Sequence, residues 1–292
     1  MATLRDIKRK IGAVKKTQQI TRAMNMVAAA RLRTAQTRIE NFRPYAAKFA
    51  ELIADLAART EPDIHPYLLQ PEETRTVSLA AFSSDRGLCG SFNTNIISGV
   101  ERTVRGWGNR GLETQLTLVG RKAHDYFRRR QVQVKQSYRD VMNAYDYADA
   151  VRIARQLSET FLLGEVDEVW IFYTRFESMS RLVPTLVKLL PISPAKEEET
   201  EGGAGAGEYL CEPSAEAIMI DLLPRSFNVQ IYNAMLETST SEQAARMMAM
   251  DNATTNCKDM IDSLTMAYNK ARQASITMEL LDIIGGAEAL KS

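Results

Sequence analysis

The chain has 292 residues, 45% of them hydrophobic, and a formal net charge of +1 from 37 basic and 36 acidic side chains, which allows one good core plus something extra and names no polyanionic partner. Cys89, Cys211 and Cys257 are widely spaced with no CxxC pair, so free thiols in a reducing compartment are expected. No uncharged apolar run approaches the roughly 18 residues of a membrane span, and MATLRDIKRK lacks the apolar core of a secretory signal, so any membrane association is expected through a partner.

The first expected element is a long helix over about 3–57. Residues 13–43 contain neither glycine nor proline. Stepping by threes and fours from Leu4 through Ile7, Ile11, Val14, Gln18, Thr21, Asn25, Ala28, Leu32, Ala35, Ile39, Phe42, Ala46, Phe49 and Ile53 to Leu56 meets 13 apolar residues in 16 positions. A 3.5-residue repeat keeps one seam on a partner helix. Pro44 removes one internal hydrogen bond and predicts a bend near 40–44. Residues 1–33 carry nine basic side chains (Arg5, Lys8, Arg9, Lys10, Lys15, Lys16, Arg22, Arg31, Arg33) against Asp6 alone. Aromatics are absent from 1–41, which removes stacking platforms for single-stranded nucleic acid. The basic run by itself reads as a solvated face, a nucleic-acid grip, or a track for an acidic protein surface.

The pattern then changes. Thr76–Phe82, Thr114–Gly120 and Glu168–Thr174 are short, apolar and β-branched or aromatic, as buried strands are. Helical stretches at Asn93–Trp107, Arg121–Arg130 and Tyr147–Leu163 separate them. Such alternation predicts a Rossmann-like α/β domain with a mainly parallel sheet over 75–212. Residues 196–208 read as an acidic, glycine-rich surface loop.

A second long helix is expected over about 214–286, with a possible break near Pro224. Residues 225–284, 60 in a row, contain neither glycine nor proline. Here the seam reads Met250, Ala253, Cys257, Met260, Leu264, Ala267, Ala271, Ala274, Met278 and Leu281. The two seams bury each other most simply as an antiparallel coiled coil built from residues 1–57 and 214–292. Helices leaving the domain together would set Asn25 opposite Arg246, where both seams turn polar, and leave a lone tip at 268–286.

Signals for chemistry are weak. His65 and His124 have nothing nearby at metal-ligand spacing. The loop SSDRGLCGSFN (83–93) follows a strand and opens a helix, where phosphate loops sit, but it lacks both GxxxxGK[ST] and GxGxxG, so a structural turn is favoured. Cys89 has no plausible His partner near it in sequence for nucleophilic catalysis. No catalytic, cofactor or metal residues are expected. The alternatives that remain are an α/β enzyme dimerised by its coiled coil and a basic rod that binds nucleic acid.

The stretch IKRKIGAVKKTQQITRAMNMVAAARLR (7–33), the loop SDRGLCGSFN (84–93) and the run SEQAARMMAM…MIDSLTMAYNKARQASITMELLDIIGGAEAL (241–290) resemble the gamma subunit family of rotary ATP synthases. The resemblance covers both ends and the centre in the expected order. It implies a non-catalytic rotor, one copy per complex, whose coiled coil turns inside a hexamer of alpha and beta subunits. The globular domain would sit on the membrane ring of c subunits beside the epsilon subunit, coupling proton or sodium flow to ATP synthesis and hydrolysis. Location would be peripheral, on the cytoplasmic side of a bacterial inner membrane, with no nucleic acid bound. By the same resemblance Arg272 and Gln273 contact the beta subunit, as do Met24, Glu242 and Arg246 near its acidic lever. Ile276, Leu280 and Ile283 would fill the bearing at the top of the hexamer, and Tyr209 and Glu212 the foot on the ring. Cys211 stands where the family pattern has an aromatic residue.

Overall fold

A computed structural model describes residues 3–59, 64–130, 132–192 and 214–289. Ten elements follow in order: α1 Leu4–Arg59, β1 Thr76–Phe82, α2 Phe92–Gly108, β2 Glu113–Val119, α3 Arg121–Phe127, β3 Val134–Tyr138, α4 Tyr147–Leu162, β4 Glu168–Phe176, β5 Leu182–Leu190 and α5 Ala215–Ala289. The fold is the expected one: long terminal helices plus a central α/β sheet. Helix α1 continues through Pro44 and α5 through Pro224, so neither proline ends its helix; each removes only one backbone donor. The chain divides into two compact units, residues 30–245, and residues 1–29 with 246–292.

In the larger unit the sheet order is β3-β2-β1-β4-β5. The first four strands are parallel, with Thr76 opposite Glu113 and Val77 opposite Glu168, while β5 runs antiparallel to β4. Sequence patterning misses β3 and β5. Strand β3 (VKQSY) is a polar edge, and β5 carries Pro184, which an edge strand tolerates because one side makes no ladder bonds. Alternate residues of β1 face two cores, as a pleated strand requires. Val77, Leu79 and Ala81 meet α2 and α3 through Ile96, Val100, Ala123 and Phe127. Ala80 and Phe82 meet α4 through Ile153 and Leu157. That second core also takes Ile39, Ile53 and Leu56 of α1 and Met219, Leu223, Phe227, Ile231 and Met235 of α5.

Two glycines set close approaches. A Cβ on Gly99 would run into the Phe172 ring, so its absence lets α2 lie against β4. Gly120 has φ +99° where β2 turns into α3, and a side chain there would strike the Ser83 backbone.

In the smaller unit the two helices pair. Asn25 Nδ2 donates to the Met247 carbonyl at 2.9 Å, and the Thr21 and Thr254 hydroxyls lie 2.8 Å apart. As α1 advances α5 recedes, so the pair is antiparallel. In the Thr21–Thr254 register Asn25 falls level with Met250, about one turn from the expected Arg246, and its side chain reaches back to the Met247 carbonyl. The α1 seam holds: every described position from Leu4 to Ala28 on it is buried or half-buried. The α5 seam differs from expectation at alternate positions. Met250, Ala253, Cys257, Leu264 and Ala271 are buried or half-buried as expected, but Thr254, Ile261, Tyr268 and Ser275 complete the row, while Met260, Ala267, Ala274, Met278 and Leu281 are exposed. Alanine and methionine make the wrong phase look more apolar. The Thr21–Thr254 contact selects the other, as polar seam residues do when they specify register.

Candidate functional site

Helix α1 opens with a reciprocal cap. The Thr3 hydroxyl accepts the Asp6 N–H at 3.3 Å, while the Asp6 carboxylate accepts the Thr3 N–H at 3.2 Å and its hydroxyl at 2.7 Å. Those hydrogen bonds from the Thr3 side chain and backbone hold the Asp6 carboxyl below its usual range. All nine basic residues of 1–33 are exposed, so the charge run is a surface and not part of the seam. Within it Met24 is half-buried, and Ile20 and Val27 are exposed at 59% and 54%. Spaced i, i+4, i+7, the three form an apolar row beside the seam. In the sequence basic side chains surround Ile20 and Val27, and their seven-residue spacing is the signal for this row.

Arg246 of the same unit is 8% exposed, so most of its surface is covered by its own chain. In the larger unit Glu242 is 5% exposed and belongs to a stretch, Thr238–Gln243, in which every residue is buried. Six successive buried polar residues mean that this part of α5 is enclosed on all sides.

Towards its end α5 outlasts α1. Continuing the Thr21–Thr254 register, Leu4 falls level with Ala271. Among the described side chains Ser275 is the last half-buried one, and residues 276–284 are exposed throughout. The unpaired tip therefore begins about two turns later than the expected 268; one of those turns is the register, in which Thr254 and not Met250 lies level with Thr21. Arg272 and Gln273 are exposed just before it. The tip carries Ile276, Met278, Leu280, Leu281, Ile283 and Ile284, all exposed. Six large apolar side chains in nine residues, Ile276, Leu280 and Ile283 among them, spread over more than half of the helix circumference, with Glu279 and Asp282 on the remaining side. Apolar surface so concentrated marks a contact site. Tyr209, Glu212, Cys211 and the loop 196–208 lie outside the described residues.

At the carboxyl ends of the parallel strands, where doubly wound sheets bind ligands, the loop 83–93 is occupied with holding the fold. Asp85 Oδ1 accepts the N–H groups of Arg121 and Asp140, both at 2.9 Å. Ser83 Oγ accepts the Ala123 N–H at 3.0 Å, and Asn93 Oδ1 the Ser84 N–H at 3.1 Å. Cys89 is buried, with Asn93 Nδ2 3.1 Å from its sulfur. The loop is thus the structural turn that its sequence favoured. His65 accepts the Tyr67 N–H at Nδ1, 3.1 Å away, and burial lowers its pKa; His124 lies 3.4 Å from Asp125. Among the described residues no group of three or more His, Cys, Asp or Glu side chains could hold a metal ion.

The ATP synthase family model matches residues 3–290. The chain is 54% identical, over all of both chains, to the ATP synthase gamma chain of Syntrophobacter fumaroxidans. It is 49% identical to that of Syntrophus aciditrophicus over 99% of each chain. Among solved structures, the central stalk and c-ring of Tetrahymena thermophila mitochondrial ATP synthase contains a chain matching with TM-score 0.60 and 26% identity, over 80% of this chain and 99% of that one. An F1/c-ring structure of Euglena gracilis mitochondrial ATP synthase gives TM-score 0.69 at 21% identity, over 98% and 94%, a likeness of fold.

Proposed function

The chain belongs to the ATP synthase gamma-chain family, and from that premise we propose that it is the rotating central shaft of an ATP synthase. It would stand inside an alpha/beta hexamer, with its globular unit on the c-ring beside the epsilon subunit. It supplies no catalytic group; catalysis lies on the beta subunits. Attachment to the cytoplasmic face of a bacterial inner membrane is through the complex, in keeping with the absence of any described helix long and apolar enough to cross a membrane.

The observation that carries this reading is the unpaired apolar end of α5 beside a helix pair whose α1 surface is basic. Both seams are satisfied within one chain, so no seam is left over to dimerise. A rod made from two different helices has no rotational symmetry and cannot present one surface to three surrounding subunits. Each beta subunit would meet a different face, and such differential contact is what allows rotation to shift the equilibrium at each site. Met24, Arg272 and Gln273 are the exposed or half-exposed candidates for beta contact. Glu242 and Arg246, covered by their own chain, would act by holding that surface in place. Tyr209 and Glu212 remain the proposed foot, over 75–212 as the globular domain.

Native mass spectrometry of the purified complex should give one chain per three beta subunits, and three per hexamer would exclude the mechanism. Arg272→Ala with Gln273→Ala should lower hydrolysis by the assembled complex. Hydrogen bonds to charged groups are each worth about 1.5–3 kcal/mol, or roughly tenfold or more in rate. Wild-type turnover in that double variant would show the pair to be solvent-facing.

A further inference from the structure

Strand β4 is longer than its parallel neighbour. The ladder with β1 ends at Ala81 opposite Phe172, whereas β4 continues to Phe176, paired there only with β5. Residues of equal parity share one edge of a strand, so the peptide groups of Thr174 and Phe176 point to the edge that β1 has vacated. Buried peptide groups need partners. Here two helices provide them. Glu237 Oε2 of α5 accepts the Phe176 N–H at 2.7 Å. Arg43 Nη2 of α1 donates to the Phe176 carbonyl at 2.8 Å and to Glu237 Oε1 at 3.1 Å. One turn further along α5, Ser241 Oγ donates to the Thr174 carbonyl at 3.1 Å. Strand, first helix and last helix thus close a ring of three charge-assisted hydrogen bonds, one of them an ion pair, around the backbone N–H and C=O of one residue, Phe176.

The environment makes this ring stiff. The Glu237 side chain is 5% exposed and Arg43 is 48% exposed, so the carboxylate is held out of water while the guanidinium keeps one side hydrated. Charge-assisted hydrogen bonds of this kind are about twice as strong as neutral ones, and a buried carboxylate cannot give up its partners without large cost. Greasy contacts elsewhere between the helices and the sheet, such as Ile39 and Leu223 in the shared core, resist separation but not sliding. The ring resists both, since each of its bonds has a direction.

We propose that Glu237 and Arg43 are positioning residues for coupling: they lock both shaft helices to the end of β4, so that torque on the globular unit turns the helices without slip. The proposal rests on the rotor reading above. Neither residue would touch a catalytic site.

The test uses the complete membrane-bound complex with Glu237→Ala, Arg43→Ala and the milder Glu237→Gln, which keeps an acceptor for the Phe176 N–H and loses the charge pair. Ions pumped per ATP hydrolysed and torsional stiffness, read from angular fluctuations of a stalled single complex, are compared with hydrolysis by the detached hexamer carrying this chain. Expected are normal hydrolysis by the detached part, and a loss of stiffness and of pumping per ATP in the whole complex, largest for the alanine variants and smaller for Glu237→Gln. Should the alanine variants fail to assemble, Glu237→Gln decides. Wild-type stiffness and coupling in the assembled variants would overturn the proposal, as would equal loss of hydrolysis by the detached part. Rotation of the wild-type complex in the same apparatus tests the rotor reading separately.

Discussion

Phe82, Phe127, Phe227, Ile39, Leu79, Leu116 and Leu157 have almost no exposed surface, and all lie within residues 30–245. In residues 1–29 with 246–292 the buried apolar side chains, among those described, are Ile7, Ala28 and Met250. Large exposed ones there include Ile20, Met260, Met266 and the six of 276–284. The first unit is made to satisfy itself. The second is made to be satisfied by something else. Apolar side chains left in water carry a transfer free energy of about 25 cal/mol per Å² that a partner can recover, so the sparse unit is where assembly energy is stored. The same contrast separates the roles of polar residues. In the larger unit a buried carboxylate, Glu237, fastens backbone; in the smaller, Asn25 and Thr21 choose a register.

The sharpest way to break this contrast is to truncate large side chains in each unit. Phe227→Ala, in the core beside Tyr67 at 6.0 Å between rings, should cost about 3–5 kcal/mol in urea unfolding of the isolated chain. Leu280→Ser with Ile283→Ser should change the same measurement by no more than about 0.5 kcal/mol, yet weaken retention of the chain in the complex. Equal destabilisation by both would mean that the tip is packed in the free chain.

A smaller effect is expected at the register lock. Asn25→Ala removes the bond to the Met247 carbonyl, and a single hydrogen bond is worth about 0.5–1.5 kcal/mol net. Amide hydrogen exchange should rise along 14–28 and 247–261, with protection of the sheet unchanged. If exchange rises in β1 and β4 as well, the two units do not open independently.

The smallest effect belongs to pH. Burial lowers the pKa of His65 in the folded chain from its usual 6.5, so between the two values the unfolded chain binds more protons. Stability from this group is present above 6.5 and is lost as pH falls through the window below it. Replacing His65 by Gln, which can still accept the Tyr67 N–H, should flatten that part of the stability–pH curve; an unchanged slope would assign it to other groups.

Much of the molecule was determined by local pattern. The three inner strands, the three helices between them and the spans of α1 and α5 follow from β-branched runs, glycine punctuation and two long stretches free of glycine and proline, because those signals act through the backbone of their own segment. The α1 seam was equally legible, since 13 of its 16 positions are apolar, a longer run than the short row of Ile20, Met24 and Val27 beside it. Tertiary structure decided the rest. Strands β3 and β5 exist because neighbouring strands offer them edges, not because VKQSY or a segment holding Pro184 favours extension. The phase of the α5 seam was decided by Thr21 across the interface, where hydropathy alone preferred Met260 and Ala274. The ring around Phe176 joins residues 133 and 61 positions away in sequence, and a lone arginine and a lone glutamate carry no periodic signal. Which charge is buried depends on what closes over it, and only the folded chain settles that.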